Sequence, residues 1–285
     1  MKITIVTVLY NQELTAGSCW KTLLEPALEK AVPECEAAGK PGIQVIAADN
    51  STDPEILEKN RRTTRDRDIV YLDMQGNKGL PAAYNRAIFT ACGKDRAADS
   101  WIVLADQDTS FPADYLPVLI RETESTDASV LFPEVRAGEK QLSPCRKKGD
   151  RFVPYSPGNG RGENGETAFF INTGLALNLE LFAGYGIRYD ERIFLDFADF
   201  DLICQIRSST DAAFRQMPGI VLQQAFSGTE ARTPEQDLER FRHFMQDGRV
   251  FYGKWYGEKA AAAAIRSRAL RLAAKHRDIR FLKKA

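Results

Sequence analysis

Two carboxylates, Asp106 and Asp108, flank Gln107 directly after the apolar run Trp101-Ile102-Val103-Leu104-Ala105. Residues two apart on an extended chain point to one side. Such a pair can share a hard divalent cation, Mg²⁺ or Mn²⁺, which takes oxygen ligands and keeps diphosphate oxygens in its shell. The bland alternative is a solvated acidic turn, since Asp and Thr suit turns in any protein. An isolated Asp-x-Asp is a weak signal; its place at the end of a strongly apolar run is what raises it. Two other polar clusters stand in the same relation to apolar runs. In Asp49-Asn50-Ser51-Thr52-Asp53, Asp49 could accept a hydrogen bond from a base N–H, while Ser51, Thr52 or Asp53 could cap a helix entered at Pro54. Asn77-x-Gly79 reads as a tight turn or as a close approach of backbone to a diphosphate. Further on, Asp196, Asp199 and Asp201 crowd one short stretch, which by itself suits the N-terminal turn and exposed face of a helix.

These residues need elements to position them. Ile3 to Leu9, Ile43 to Ala48, Ile69 to Leu72 and Trp101 to Ala105 read as four buried strands, short apolar runs of the kind β-branched residues favour. Helical spacing from Cys19 to Ala38, a proline-led start at Pro54 and the segment Leu80 to Cys92 separate them. Strands alternating with helices imply a parallel sheet covered on both faces. Such a sheet holds its ligands in the crevice beyond the carboxyl ends of its strands. The clusters that follow the strands are Tyr10-Asn11, Asp49 to Asp53, Gln75 to Gly79 and Asp106 to Asp108. None resembles a Gly-x-Gly-x-x-Gly phosphate loop, which weakens a dinucleotide reading. Beyond Asp108 the alternation loosens. A strand at Ser129 to Pro133, a glycine-rich loop at Ser156 to Gly165, a strand-like run at Phe169 to Leu177, a helical start near Leu179 and a helix at Asp201 to Ser208 follow in turn. From Glu258 onward Ile265, Ala269, Leu272, His276 and Ile279 recur at helical spacing among basic residues. That basic amphipathic helix suits either an anionic membrane surface or an ordinary solvated position with its stripe packed on the body.

The totals constrain the partners. A chain of 285 residues can bury a large core in one or two domains. With 39 basic and 39 acidic residues the formal net charge is +0, so no nucleic-acid partner is implied. Cys19, Cys35, Cys92, Cys145 and Cys204 are scattered and form no Cys-x-x-Cys pair. That argues against a disulfide framework and a zinc site, and fits a reducing, cytoplasmic compartment. Asn11, Gln12 and Glu13 follow the first apolar run at once, so the run reads as a strand and not as a signal-peptide core. No stretch approaches the roughly 20 apolar residues of a membrane-spanning helix. The expectation is a soluble protein, or one attached to a membrane at its surface.

Taken in order, the motifs resemble the inverting family 2 glycosyltransferases with the GT-A fold. The matching stretches are Ile5-Val6-Thr7-Val8-Leu9-Tyr10-Asn11, Asp49 to Asp53, Asn77-x-Gly79-x-x-x-Ala83-x-Asn85 and Trp101 to Thr109, within residues 3 to 228. The Asp-Gln-Asp-Thr form looks most like the bacterial rhamnosyltransferase branch, which uses dTDP-rhamnose. The resemblance implies a GT-A-like (Rossmann-like) α/β fold: a mostly parallel sheet, helices on both faces and the basic C-terminal helix appended. It divides the chain into a donor half over 1–110, an acceptor half over 111–257 and the helix over 258–285. A dTDP- or UDP-linked sugar would contact Thr7, Tyr10, Asn11, Asp49, Asn77, Gly79, Asn85 and Asp106, with Asp106 and Asp108 holding the Mg²⁺ or Mn²⁺.

Asp190 to Leu202 looks like the family's later acidic motif, which implies Asp199 as catalytic base and Asp196 and Asp201 on the acceptor side. An acceptor hydroxyl must lose its proton as it attacks the anomeric carbon, and a positioned Asp can take it. The cation meanwhile neutralises the departing diphosphate, and a single displacement inverts the configuration. The implied acceptor is a glycan or a polyprenyl-linked glycan, met at the inner face of the cytoplasmic membrane. Three positions depart from the family pattern. Ala198 stands where a Glu usually precedes the base, Tyr84 where many members carry Arg, and Gln223 and Gln224 where members often place a His. Two further readings compete. A nucleotidyltransferase would need a glycine-rich, basic loop where Tyr10-Asn11-Gln12-Glu13 stands. A catalytically silent sugar-nucleotide-binding or scaffolding protein fits the missing His and Ala198 but not the intact Asp106, Asp108 and Asp199.

Overall fold

The computed structural model describes residues 1–31, 42–93, 99–156, 168–225 and 232–283. Four parallel strands carry the first part: β1 (Lys2–Leu9), β2 (Gly42–Asp49), β3 (Val70–Asp73) and β4 (Ser100–Asp106), in the spatial order β3-β2-β1-β4. The crossovers between them contain α1 (Glu25–Ala31, entered through a π-helical turn at Trp20–Leu24), α2 (Pro54–Arg65) and α3 (Leu80–Cys92). Asp53 caps α2 by accepting from the Glu55 N–H at 2.9 Å, with Pro54 in the first turn. These elements match the sequence reading closely; the part of the expected first helix beyond Ala31 lies outside the described residues, as does most of the Ser156 to Gly165 loop.

The second part supplies β5 (Thr109–Ser110), α4 (Tyr115–Ser125), β6 (Val130–Ala137), β7 (Lys140–Ser143), β8 (Cys145–Lys148), β9 (Arg151–Pro154), β10 (Ala168–Phe169), β11 (Ala176–Asn178), α5 (Glu180–Ala183), α6 (Ala198–Ser209), β12 (Phe214–Gln224), α7 (Pro234–Tyr256) and α8 (Glu258–His276). The main sheet continues from β4 as β11-β6-β12-β5, with β7 on β6, while β8, β9 and β10 form a small separate sheet. β11 runs antiparallel to both β4 and β6, whereas β6 and β12 are parallel. The sheet is therefore parallel up to β4 and mixed beyond it. The strand-like run from Phe169 to Leu177 is in fact two short strands parted by a turn at Gly174, with φ 79°. A Cβ there would lie 2.7 Å from Pro133 Cγ, so glycine alone fits the turn.

Alternation along β1 sorts the core into two layers. Ile3, Ile5 and Leu9 face Trp20, Leu23 and Leu24 ahead of α1, with Tyr115 and Leu119 of α4. Val6 faces the other way, toward Tyr84 and Ile88 of α3, Leu202 and Ile206 of α6, and Phe251 of α7. Each layer removes several large apolar side chains from water, at roughly 1.5–3 kcal/mol apiece. α8 then packs on α7: Ile265 and Ala269 sit among Leu238, Phe241 and Phe281. The apolar stripe of the basic helix is thus largely covered by α7.

Candidate active site

Register places the acidic clusters together. Leu9 pairs with Asp49 across β1 and β2, and Val8 with Asp106 across β1 and β4. Both strands flanking β1 end level with it, so the loops that leave them share one edge. The loops are laced to one another. Gln107 Oε1 accepts from the Tyr10 N–H at 3.0 Å, which ties β4 to β1. Asn11 ties β1 to β2: its Oδ1 accepts from the Thr52 N–H at 2.8 Å, and its own N–H donates to Ser51 Oγ at 2.8 Å. Asn11 holds φ 46° to do so, a left-handed conformation that Asn tolerates. Asn50 Nδ2 donates to the Gly79 carbonyl at 3.0 Å, and Asn77 Oδ1 accepts from the Gly79 N–H at 3.1 Å. Gly79 itself has φ 86°, and a Cβ there would lie 2.7 Å from the Phe194 carbonyl.

A cavity of about 310 Å³ opens between these loops, lined by Tyr10, Asn50, Asn77, Gly79, Asp106, Asp108, Phe194, Leu195 and Gln224 among others. A larger cavity of about 660 Å³ lies beside Glu122 and Arg215 at the start of β12 and holds none of the expected residues. Size therefore does not mark the site; converging polar groups with shifted titration do. Burial, and then the charge of Asp108, push Asp106 up to about 7. Burial also raises Asp108. Tyr84 donates its hydroxyl to Asp106 Oδ1 at 3.3 Å, and Gln224 Nε2 donates to Oδ2 at 3.0 Å. Asp199, half-buried in the first turn of α6, is likewise pushed up to about 7 by burial, with the charges of Asp106 and Asp196 adding to it and the Phe200 N–H opposing it.

Several of the expected residues are held by partners within the chain. Thr7 is fully buried on the face of β1 opposite Val8, away from the cavity that Val8 lines. Asp49 is fully buried too: its Oδ1 accepts from the Ser51 N–H at 2.9 Å, and its Oδ2 from Asn60 at 2.9 Å and the Tyr71 hydroxyl at 3.1 Å. Those three donors fix the carboxylate at the base of the loop that follows β2. Asn85 fastens the segment ahead of α6, accepting from the Tyr189 N–H at 2.9 Å and donating to Glu191 at 2.8 Å. Asp196 is clasped by Arg240 of α7 at 2.6 Å. Asp201 is wholly buried and takes Lys254 at 2.9 Å and the Trp255 Nε1–H at 2.6 Å. Both acceptor-side carboxylates are turned onto α7. Of the two glutamines, Gln224 reaches the cavity and Gln223 points outward. Tyr84, Gln107, Phe194 and Leu195 join the site without an expected role: Gln107, Phe194 and Leu195 lie inside matched motifs, and Tyr84 is a departure from one.

A model of glycosyl transferase family 2 matches residues 4–186 of this chain. The chain belongs to that family. The match takes in Asp49, Asp106 and Asp108 of this glycosyltransferase and ends before Asp199. No curated protein sequence matches it. Among solved structures it is similar to GalNAc-T7 with UDP, GalNAc and Mn²⁺, at 16% identity and a TM-score of 0.60, covering 100% of this chain and 53% of that one. It is similar to S. aureus TarS 1-349 in complex with UDP, at 14% identity and a TM-score of 0.51, covering 87% of this chain and 66% of that one. The mannosyltransferase PcManGT from Pyrobaculum calidifontis, in complex with GDP-Man and Mn²⁺, gives 16% identity, a TM-score of 0.50, and coverage of 96% and 77%. The glycosyltransferase thus spans about half the length of GalNAc-T7 and just under two thirds of the TarS fragment. At these identities the likeness establishes the GT-A-like fold of the family 2 chain, a mixed sheet with helices around it.

Proposed function

We propose that this family 2 glycosyltransferase moves rhamnose from dTDP-rhamnose to a glycan or polyprenyl-linked glycan, inverting the anomeric configuration in one displacement. The observation that carries the reading is that Asp106 and Asp108 line one cavity at the edge of the sheet, with Asp199 near enough for the charge of Asp106 to act on it. The Asp-Gln-Asp-Thr form at 106–109 supports the rhamnose branch. The donor is held by the half over 1–110 and the acceptor by the half over 111–257.

The residues fit a hard divalent cation. Asp106 and Asp108 repel one another, and a cation between them would offset that repulsion. Among the described residues no group of three or more His, Cys, Asp and Glu stands together; Asp106 and Asp108 would hold the cation with diphosphate oxygens, a pattern Mg²⁺ and Mn²⁺ accept. The relatives with Mn²⁺ in their structures support this. When bound, the cation neutralises charge on the leaving diphosphate. Tyr84 and Gln224 orient Asp106. Asp199 takes the acceptor proton, its elevated affinity for protons suiting a base that works near neutral pH. Asp196 and Asp201 act on the acceptor through the loop and helix they hold. The protein meets its acceptor at a membrane surface through α8.

Calorimetric titration with dTDP and with UDP, each with and without Mn²⁺, on wild type and Asp108→Ala tests this. Metal-enhanced dTDP binding that is lost in the variant supports donor and metal together. Preference for UDP keeps the family and removes the rhamnose branch. Tight donor binding without turnover identifies the silent reading, which Gln224 in place of a His favours. Binding of neither nucleotide by folded protein removes the donor site.

A further inference from the structure

One face of α7 grips the segment from Arg192 to Asp196. Asp247, wholly buried, accepts three successive backbone N–H groups: Phe194 at 2.8 Å, Leu195 at 2.9 Å and Asp196 at 2.8 Å. One turn earlier the His243 ring stacks on Phe194, centroids 4.7 Å apart, and a further turn back Arg240 holds the Asp196 carboxylate at 2.6 Å. Positions 240, 243 and 247 fall on one side of a helix. From the other direction, the Phe194 carbonyl accepts from the Leu80 N–H at 2.9 Å, at the start of α3. The segment is therefore strung between α3 and α7.

The gripped residues are the ones the chemistry needs placed. Phe194 and Leu195 line the cavity that holds Asp106 and Asp108. Directly after Asp196 the chain turns through Phe197, at φ 68°, into the first turn of α6, where Asp199 sits. A non-glycine residue in that region persists where the surroundings hold it: the Phe197 ring stacks on Phe251 of α7, centroids 5.0 Å apart, and Asp247 fixes the amide of the preceding residue. The gripped segment and the α7 residues that hold it lie beyond residue 186, where the family match ends.

We propose that Asp247 is a positioning residue for sugar transfer: from α7 it fixes Phe194 to Asp196 against the cavity and so sets where Asp199 stands relative to Asp106 and Asp108. The inference rests on the reading of that cavity as the transfer site. Two readouts test it, one independent of activity. Hydrogen exchange resolved to single amides should show Phe194, Leu195 and Asp196 protected in wild type, and exchanging at least about tenfold faster in Asp247→Ala while β1 and β4 are unchanged. In steady-state transfer, kcat should fall about 100-fold, the scale of a reacting group misplaced by an ångström, while the calorimetric Kd for the nucleotide diphosphate stays within about threefold. Asp247→Asn keeps one accepting oxygen and should lose about tenfold in kcat; it carries the test if the Ala variant does not fold. Unchanged exchange at the three amides, or released amides with unchanged kcat, overturns the role. So does a parallel fall of kcat and nucleotide affinity, which marks a general loss of structure. Wild-type protein that neither binds nor transfers would overturn the functional reading and this role with it, although protected amides would still reveal the clasp.

Discussion

Burial pushes the Asp199 carboxyl up to about 7, against an ordinary 3.8. Activity and stability then respond to pH in opposite senses. In the proposed role of base, Asp199 must be ionised to take a proton, so that role requires turnover to rise as pH climbs through about 7. The folded chain, however, holds a proton that the unfolded chain gives up near pH 4. The resulting stability is complete below pH 4 and is lost as pH rises through about 7. Asp199→Asn should therefore cut turnover by roughly 10²–10⁴. At pH 8 it should also raise the free energy of unfolding by on the order of 2 kcal/mol, a gain that vanishes at pH 4. Urea titrations at the two pH values decide it, and equal stability of the two proteins at pH 8 would show that Asp199 is not held in a desolvated place. Asp106 and Asp108 were legible in the sequence because their placement needs only one strand and its end. The partners of Asp49, Asn85 and Asp201 were not, because they come from elsewhere in the fold: Asn60 and Tyr71, Tyr189 and Glu191, Lys254 and Trp255.

Elements whose signal is local were read correctly. β1 to β4 are bounded apolar runs, and α2 and α3 each begin with a proline in the first turn. β11 was read only as the end of one longer strand-like run, because three residues carry too little pattern and its antiparallel place between β4 and β6 is a property of pairing. α7 had a usable sign that went unread: Thr233 and Gln236 form a capping box around Pro234. The start of α3 offers a test of element contact. Gly79→Ala must bear both a positive φ and a collision with the Phe194 carbonyl, whereas Gly76, at φ 96°, has nothing within 4 Å of an added Cβ. Gly76→Ala should cost about 1 kcal/mol and Gly79→Ala about 2–4, the excess being the collision. Equal costs in chemical denaturation would mean that Phe194 does not press on α3.

For the whole molecule, acidic and basic residues balance at 39 each, so any attraction to a charged surface must be local. No described helix is long and apolar enough to cross a membrane. α8 spends its apolar stripe on α7, and that narrows the case for lipid contact to Leu270, Ile279 and Leu282, which are 60%, 64% and 45% exposed, with Arg266, Arg277 and Lys283 nearby in the chain. Flotation with vesicles should show binding to anionic and not to neutral lipid, weakened by salt and by Leu270→Glu with Ile279→Glu. Binding indifferent to lipid charge, or none, would leave α8 as a packing helix.

The wall at Phe194 and Leu195 is fastened mostly through its main chain, by Asp247 on one side and Leu80 on the other. A joint of that kind does not ask which side chain is present. Leu195 in particular, with its N–H engaged and its side chain 40% exposed toward the cavity, can be exchanged without loosening the attachment. Descendants of this chain are thereby free to reshape the cavity at that position while inheriting the same scaffold, which makes the wall a natural place for lineages to diverge.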